Sequence, residues 1–317
     1  LLFIFQFFFK IIPFINFQLW FFIIPIGTFI YSSYSLMIAW NNRSKKYKIM
    51  SNNRIIQSAS VSLSQIFFAF NQKFSFGLIY ADLLGRFLAL TLIIKNSNFF
   101  YYNLKINLLE KKNLFNRYKN FFYIQAPSSL INVCSNNLAF LILPIIFSPK
   151  IAGLYFLVYR ILLNPSSLIS NSILEVFKNR VQDDFLKKGS CRSIFIKTAL
   201  SLFMIGIIPT LIIIFFATDF FTFFFGNDWL EAGKYAEILA PLILIRFISS
   251  PISYILVFKE KLFIILILQL LFLMLNIFSL YYASISMSVE LAIWSLMISG
   301  VIFYILQIIF AYKFSKD

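Results

Sequence analysis

The chain contains no histidine, two cysteines and only 12 acidic residues among 317 amino acids. The absence of histidine excludes Ser-His-Asp catalysis and the common histidine-containing zinc sites. Cys134 and Cys191 are too few for a disulfide framework or a cysteine-based metal site. The sequence also lacks a glycine-rich ATP-binding loop. We therefore expect no cofactor, no bound metal and no catalytic residue of these kinds.

Apolar residues dominate what is present. Hydrophobic residues make up 60% of the chain, 43 residues are phenylalanine, and the mean hydropathy is +0.84. Apolar stretches recur near the roughly 20 residues that cross a bilayer as a helix, and they are too continuous for the alternation of a barrel strand. These stretches predict an all-α polytopic membrane protein with about ten spans, at residues 1–16, 17–40, 55–70, 76–94, 120–147, 151–177, 198–217, 235–258, 262–283 and 288–312.

The basic residues cluster on one side of these spans. Of 28 lysines and arginines, 21 fall in alternate connections and at the C-terminus, three (Lys73, Lys150 and Lys234) fall on the other side, and four lie within spans. Cytoplasmic loops of membrane proteins accumulate lysine and arginine. The net charge of +16 therefore indicates membrane topology, with a cytoplasmic C-terminus, and does not indicate nucleic-acid binding.

The chain opens at Leu1 inside an apolar run, so we interpret it as N-terminally truncated. A faint repeat supports this interpretation, because FIYSSYS at residues 29–35 recurs as FISSPIS at 247–253, an offset of 218 residues and six helices. Parallel repeats of this kind occur in transporters, although four identities in such biased sequence are also compatible with chance. The repeat predicts a partial N-terminal lobe at 1–95 without its first two helices, a cytoplasmic linker at 96–118 and a six-helix C-terminal lobe at 119–317.

Four basic residues, Lys10, Arg86, Arg160 and Arg246, lie inside apolar spans. A charge at the bilayer centre costs about 2.5–3.5 kcal/mol on insertion scales, so such residues usually face a bundle interior or a watery cavity. Asp82 precedes Arg86 by four residues, the spacing of an ion pair on one helix, and we favour a structural pair over a direct substrate or proton role. Arg160 and Arg246 have no such neighbour and are the strongest candidates for ligand contact. Lys10 is equally compatible with a position at the membrane interface.

Polar residues form a stripe on each of two neighbouring spans. Spacings of three and four place each set on one helix face, with Gln125, Ser129, Asn132 and Asn136 on the first span and Arg160, Asn164, Ser167 and Asn171 on the second. Facing stripes would make half of a hydrophilic groove. The alternative is that small polar residues only hold helices together. Because an unpaired arginine needs water or an anion, we favour the groove.

The segment 218–234 combines three acidic residues with six aromatic ones. An interfacial turn anchored by aromatic side chains is the favoured explanation. A pair of catalytic carboxylates is the alternative.

Three stretches give the chain its resemblance to a known family: APSSLIN at 126–132, AGLYFLVYR at 152–160 and FGNDW at 225–229. In this order and spacing they resemble the polysaccharide repeat-unit (O-antigen) flippases of the multidrug/oligosaccharidyl-lipid/polysaccharide exporter superfamily. The resemblance implies twelve helices in two lobes around a central cavity, and a carrier rather than an enzyme. Glu175 departs from the family, which commonly has an uncharged polar residue there.

The implied substrate is an undecaprenyl-diphosphate-linked oligosaccharide, flipped across the bacterial inner membrane for O-antigen, capsule or exopolysaccharide synthesis. Implied partners are membrane lipids, a polysaccharide polymerase and a chain-length regulator. We expect Arg160, Arg246 and, more weakly, Arg86 to bind the diphosphate, and Asn164, Gln125, Asn132 and Asn136 to solvate sugar hydroxyls. Two rivals are a multidrug cation antiporter, which would need unpaired intramembrane carboxylates, and a membrane glycosyltransferase or polymerase, which would need a sizeable periplasmic loop.

Overall fold

The computed structural model describes residues 17–70, 77–97 and 108–316 of the chain. The described residues are helical throughout, which confirms the predicted all-α class. The α-helices are α1 (Phe17–Arg43), α2 (Tyr47–Phe70), α3 (Gly77–Ser97), α4 (Leu108–Asn120), α5 (Ala126–Ile146), α6 (Pro149–Lys188), α7 (Arg192–Phe225), α8 (Leu230–Ile252), α9 (Tyr254–Phe258), α10 (Leu262–Ser286) and α11 (Val289–Phe314). A π-helical turn (Phe121–Gln125) joins α4 to α5, and a 3₁₀ turn (Asn227–Trp229) precedes α8.

Seven helical segments of the described residues are long and apolar enough to cross a bilayer. They are Gly77–Ser97, Lys112–Ile146, Pro149–Lys187, Arg192–Phe225, Asn227–Phe258, Leu262–Ser286 and Val289–Phe314. They coincide with seven of the ten predicted spans. The predicted span 1–16 lies outside the described residues.

The spans predicted at 17–40 and 55–70 fall in α1 and α2, which are not among the seven. Seven of the nine spans predicted within the described residues are therefore supported, whereas those in α1 and α2 lack this support. In α2 the reason is that many of residues 51–65 are serine, asparagine or glutamine, which lowers the apolar content of the helix. The two-lobe transporter arrangement stays a prediction.

Local sequence explains where the longest helices begin and end. Ser148 caps α6, since its Oγ accepts from the backbone N–H of Ile151 at 3.3 Å, and Pro149 occupies the first turn, where its missing N–H has no cost. Gly189 ends α6 in the left-handed region at φ 68°. Ser288 caps α11 in the same way, by accepting from Leu291 N at 3.4 Å.

The chain divides into two compact units, residues 1–105 and 106–317. In the first unit α3 packs closely along α2. A Cβ on Gly85 would lie 2.6 Å from the backbone nitrogen of Val61, so only glycine permits this approach. Asn53 ties the same two helices together, because its Nδ2 donates to the carbonyl oxygen of Ala89 at 3.0 Å.

The second unit contains the remaining six candidate spans, in the range predicted as the C-terminal lobe. Helices α7 and α8 approach most closely at Gly233, where a Cβ would lie 2.4 Å from the Cα of Thr218. One apolar core surrounds Val158, Leu239 and Ile293, and a second surrounds Ile252, Ile255 and Phe303.

Large apolar side chains cover the outer surface of the second unit. On α7 alone, Phe215 and Phe223 are 70% and 83% exposed. A helix that is apolar on all sides and mostly uncovered by protein is stable only in apolar surroundings. The exposed surface is therefore that of a protein embedded in lipid.

Candidate functional site

A partly open cavity of about 360 Å³, with nine polar residues in its lining, lies between helices of the second unit. Its lining comes from the π-helical turn and six helices: Gln125, Ser128, Ser129, Asn132, Val133, Leu174, Ser250, Ser253, Tyr254, Val257, Ile265, Gln269 and Gln307. None of these thirteen side chains carries a charge. The cavity therefore offers amide, hydroxyl and phenol groups in an otherwise apolar bundle.

Pro127 explains how the first wall of this cavity forms. A proline lacks the N–H for a helical hydrogen bond, and its ring crowds the carbonyl four residues earlier, here that of Tyr123. Immediately before it the backbone widens, and the N–H of Ala126 donates to the carbonyl oxygen of Phe121, five residues back. The wide turn ends at Gln125, and Ser128 follows one residue after the proline.

The predicted stripe on this span does meet a neighbouring helix. Gln125, Ser129 and Asn132 line the cavity together. Asn132 Nδ2 donates to Gln269 Oε1 on α10 at 2.8 Å. Asn136 lies one turn further along α5, and its Nδ2 donates to the backbone oxygen of Asn132 at 2.8 Å and to Asn132 Oδ1 at 3.2 Å.

Two polar atoms at this cavity have no hydrogen-bond partner among the described residues. They are Gln125 Oε1 and Ser128 Oγ, both buried, with Ser128 only 1% exposed. An unmade hydrogen bond at a buried group costs about 1–3 kcal/mol. Polar groups elsewhere on the same helices are paired, for example Ser299 Oγ donating to Asn276 Oδ1 at 2.8 Å. The second set holds helices together, whereas the first set points to a bound polar molecule.

Arg246 lies on α8 among tyrosines. Its Nη1 donates to the Tyr159 hydroxyl at 2.6 Å, and its guanidinium carbon lies 5.6 Å from the Tyr159 ring centroid and 5.8 Å from that of Tyr304. The Tyr159 ring packs edge to face on Phe140 of α5, with centroids 4.9 Å apart. Within residues 17–70, 77–97 and 108–316, no ion pair involves Arg246. Its charge is held by aromatic faces and one phenol, and the residue remains partly exposed.

The Arg246 cluster and the cavity are neighbours along two helices. Arg246 and the cavity residue Ser250 are four apart on α8, and Tyr304 and the cavity residue Gln307 are three apart on α11. Residues three or four apart lie on one helix face, about 4.5–6 Å apart along the axis. A single guanidinium therefore lies one helical turn from a neutral polar cavity.

Arg160 and Asn164 are both exposed on α6, and neither lines the cavity. The α6 residue at the cavity is Leu174. This cavity therefore does not correspond to the groove predicted between α5 and α6, which stays a prediction. Its opposite wall consists of residues from α8 to α11.

The sequence interpretation did not select Ser250, Gln269 or Gln307 as site residues. Gln269 and Gln307 each stand alone in a strongly apolar span, which is a usable signal for an inward-facing polar side chain. Ser250 and Ser253 lie in the FISSPIS stretch, which was noted only as a repeat. Ser249, beside them, donates from Oγ to Gln307 Oε1 at 2.8 Å.

Two other charged residues within spans, Arg86 and Glu237, have partners. In the first unit Arg86 Nε donates to Asp82 Oδ2 at 2.7 Å, and the guanidinium lies 5.5 Å from the Tyr31 ring centroid. In the second unit Glu237 Oε1 accepts from both the backbone N–H and the hydroxyl of Thr218. Lys10 lies outside the described residues.

Glu175 and the two cysteines lie apart from the site. Lys178 Nζ lies 3.5 Å from Glu175 Oε1. Glu175, which departs from the family pattern, therefore forms an ion pair on its own helix. Cys191 is fully buried at the start of α7, and burial raises the pKa of its thiol. Cys134 is exposed. The described residues contain no group of three or more histidine, cysteine or carboxylate side chains that could hold a metal.

A comparison with known protein families identifies the family of this chain. A family model described as "Polysaccharide biosynthesis protein" matches residues 17–234, which is more than half of the chain and includes all three resemblance stretches. No curated protein matches the chain. No solved structure matches it.

Proposed function

Because the chain belongs to the polysaccharide biosynthesis protein family of membrane flippases, which transport lipid-linked repeat units, we propose that it flips undecaprenyl-diphosphate-linked oligosaccharides from the cytoplasmic to the periplasmic leaflet. The products would serve O-antigen, capsule or exopolysaccharide synthesis. The protein would lie in the bacterial inner membrane with its C-terminus in the cytoplasm, beside a polysaccharide polymerase and a chain-length regulator.

Arg246 is the observation that carries this proposal. A guanidinium on a membrane-spanning helix needs a compensating group, and the described residues provide tyrosines but no carboxylate. Arginine binds phosphate oxygens through two parallel N–H donors, which suits a diphosphate. The tyrosine faces hold the cation in place between transport events and leave its charge available.

The other residues predicted to contact the substrate fall into two groups, according to whether they are exposed on α6 or lie on the polar face that includes the cavity. Arg160 and Asn164, exposed on α6, are proposed as further contacts to the headgroup. Gln125, Asn132 and Asn136 are proposed to meet sugar hydroxyls. Arg86 is the weakest candidate, because Asp82 already neutralises it.

The membrane potential alone would favour export of this substrate. An inside-negative membrane potential favours outward movement of anions by about 2.3 kcal/mol per charge per 100 mV. The diphosphate headgroup carries negative charge, so outward flipping is downhill without a dedicated proton carrier.

Complementation tests the proposal directly. Production of the protein with a complete N-terminal lobe in a bacterial strain that lacks its own repeat-unit flippase should restore surface polysaccharide, and Arg246→Gln should abolish that recovery. Arg180→Gln is the matched control, because Arg180 is exposed near the C-terminal end of α6. Immunoblots of the membrane fraction verify equal amounts of each variant. Full surface polysaccharide with Arg246→Gln would refute the role of this residue.

A further inference from the structure

Resting on that proposed function, we propose that the cavity inside the second unit binds one uncharged sugar residue of the glycan, next to the lipid diphosphate. The site differs from a general polar lumen, since it lies between helices of one unit and has a defined set of hydrogen-bonding groups. Its ligand class is a neutral polyhydroxyl compound attached to a phosphate.

The lining has the chemistry of a sugar site. Gln125, Asn132, Gln269 and Gln307 present amides that both donate and accept, and four serines add hydroxyls that do the same. Sugar hydroxyls likewise donate and accept. A uronic acid would bring a carboxylate into a cavity without any cationic side chain, and burying a charge without a partner is strongly unfavourable. The uncharged lining therefore selects for neutral sugars.

The two unpartnered atoms are available to a ligand that enters the cavity. Gln125 Oε1 and Ser128 Oγ are buried and lack partners among the described residues, although Asn132 and Gln269 beside them are bonded to each other. A sugar hydroxyl that enters the cavity can donate to Gln125 Oε1 and bond with the Ser128 hydroxyl.

Shape and size fit part of a glycan. The walls include apolar carbon from Val133, Leu174, Val257 and Ile265, together with the Tyr254 ring. These groups suit the apolar face of a pyranose. The volume of about 360 Å³ lies at the small end of the 300–1,000 Å³ typical of small-molecule sites. The cavity therefore takes one end of an oligosaccharide and not a whole repeat unit.

The distance to Arg246 identifies which sugar enters. Ser250 and Gln307 line the cavity, while Arg246 and Tyr304 lie one turn away on the same two helices. Four residues of helix span about 6 Å. A diphosphate on Arg246 would place its directly attached sugar, rather than a distal one, at the mouth of the cavity.

Binding to purified protein in nanodiscs tests this inference with three probes: undecaprenyl diphosphate, the same lipid carrying N-acetylglucosamine, and the same lipid carrying glucuronate. In the unaltered chain N-acetylglucosamine should tighten binding about tenfold over the bare lipid, the equivalent of roughly one hydrogen bond, and glucuronate should not. Gln125→Leu combined with Ser128→Ala should remove this gain and leave affinity for the bare lipid unchanged. Because Gln125 Oε1 and Ser128 Oγ have no hydrogen-bond partner within residues 17–70, 77–97 and 108–316, the double variant should fold normally.

Asn137→Leu is the matched control. Asn137 lies on α5 and is exposed outside the cavity, with its Nδ2 bonded to the Val133 carbonyl oxygen of its own helix. It should keep the full gain from N-acetylglucosamine. An undiminished gain in the Gln125/Ser128 variant, or an equal gain from glucuronate, would overturn the sugar subsite while leaving diphosphate binding intact. Failure of the unaltered chain to bind even the bare lipid diphosphate would instead refute the proposed function and the subsite with it.

Discussion

Two arginines within membrane-spanning helices, Arg86 in the first unit and Arg246 in the second, have opposite surroundings. Arg86 donates to Asp82 one turn away, with side chains 30% and 39% exposed, so the pair is nearly neutral. Arg246 bonds to a phenol and faces two tyrosine rings. The same residue type thus pairs with a carboxylate in one place and is surrounded by tyrosines in the other, where we propose that its charge meets a ligand. The difference lies in the residue one helical turn before each arginine, Asp82 in one case and the apolar Leu242 in the other.

Substitution of Arg246 should have the largest effect on transport. A hydrogen bond to a charged group is worth about 1.5–3 kcal/mol, so Arg246→Gln should lower the transport rate by about 10- to 100-fold. Arg246→Lys should give an intermediate rate, because it keeps the charge but loses the planar pair of donors. Flipping of a fluorescent lipid-diphosphate oligosaccharide in proteoliposomes measures both. Equal rates for the glutamine and lysine variants would mean that charge is not what Arg246 provides.

Substitution of Asp82 should chiefly affect stability. Asp82→Asn leaves Arg86 charged without its partner and should cost about 1–3 kcal/mol, less than the loss for a fully buried pair because both side chains are partly exposed. The double variant Asp82→Asn/Arg86→Gln should recover much of this loss. Thermal denaturation in detergent gives the coupling. Additive losses would show that the pair contributes little, and the contrast with Arg246 would disappear.

Each of these arginines lies on a helix that a glycine packs against a neighbour. Gly85→Ala and Gly233→Ala should each destabilise the fold by about 1–3 kcal/mol, since the added Cβ would meet backbone atoms. Gly153→Ala is the control, because a Cβ there meets nothing within 4 Å. Chemical denaturation compares the three. A stable Gly233→Ala variant would show that α7 and α8 separate easily.

Substitution of Glu237 should have the smallest effect on transport. Its carboxylate already accepts from the backbone N–H and hydroxyl of Thr218, and a glutamine oxygen can accept both bonds. Glu237→Gln should therefore leave the transport rate within about twofold at neutral pH. A pH series in the same proteoliposomes checks this. A large loss would indicate that the carboxylate takes part in transport and would favour ion coupling over movement driven by potential alone.

The helices were predictable from sequence for a simple physical reason. Apolar runs near 20 residues report helix positions in a membrane directly, and Ser148 with Pro149 marks a helix start. The contact between Asp82 and Arg86 was predictable for a similar reason, because the two residues lie four positions apart on one helix. The span predicted at 55–70 in α2 was not supported, because polar side chains recur between residues 51 and 65.

Contacts between helices were much less predictable. The sequence gives the face of α5 that carries Gln125 and Asn132, but it does not reveal that Gln269 and Gln307 lie opposite, 137 to 182 positions along the chain. The partners of Arg246 were hidden for the same reason, since Tyr159 and Tyr304 come from two other helices. Periodicity describes one helix at a time, whereas a site in a bundle depends on helix rotation and pairing.

The length of α6 has a mechanical consequence. Its 40 residues span about 60 Å, roughly twice the 30 Å of hydrocarbon in a bilayer. Even a tilted helix of this size must extend well beyond the lipid tails, and its C-terminal portion carries the charges that water requires. A change of about 10° in tilt would move that end by several ångströms. A small tilt of α6 would thereby shift its charged end relative to the membrane surface.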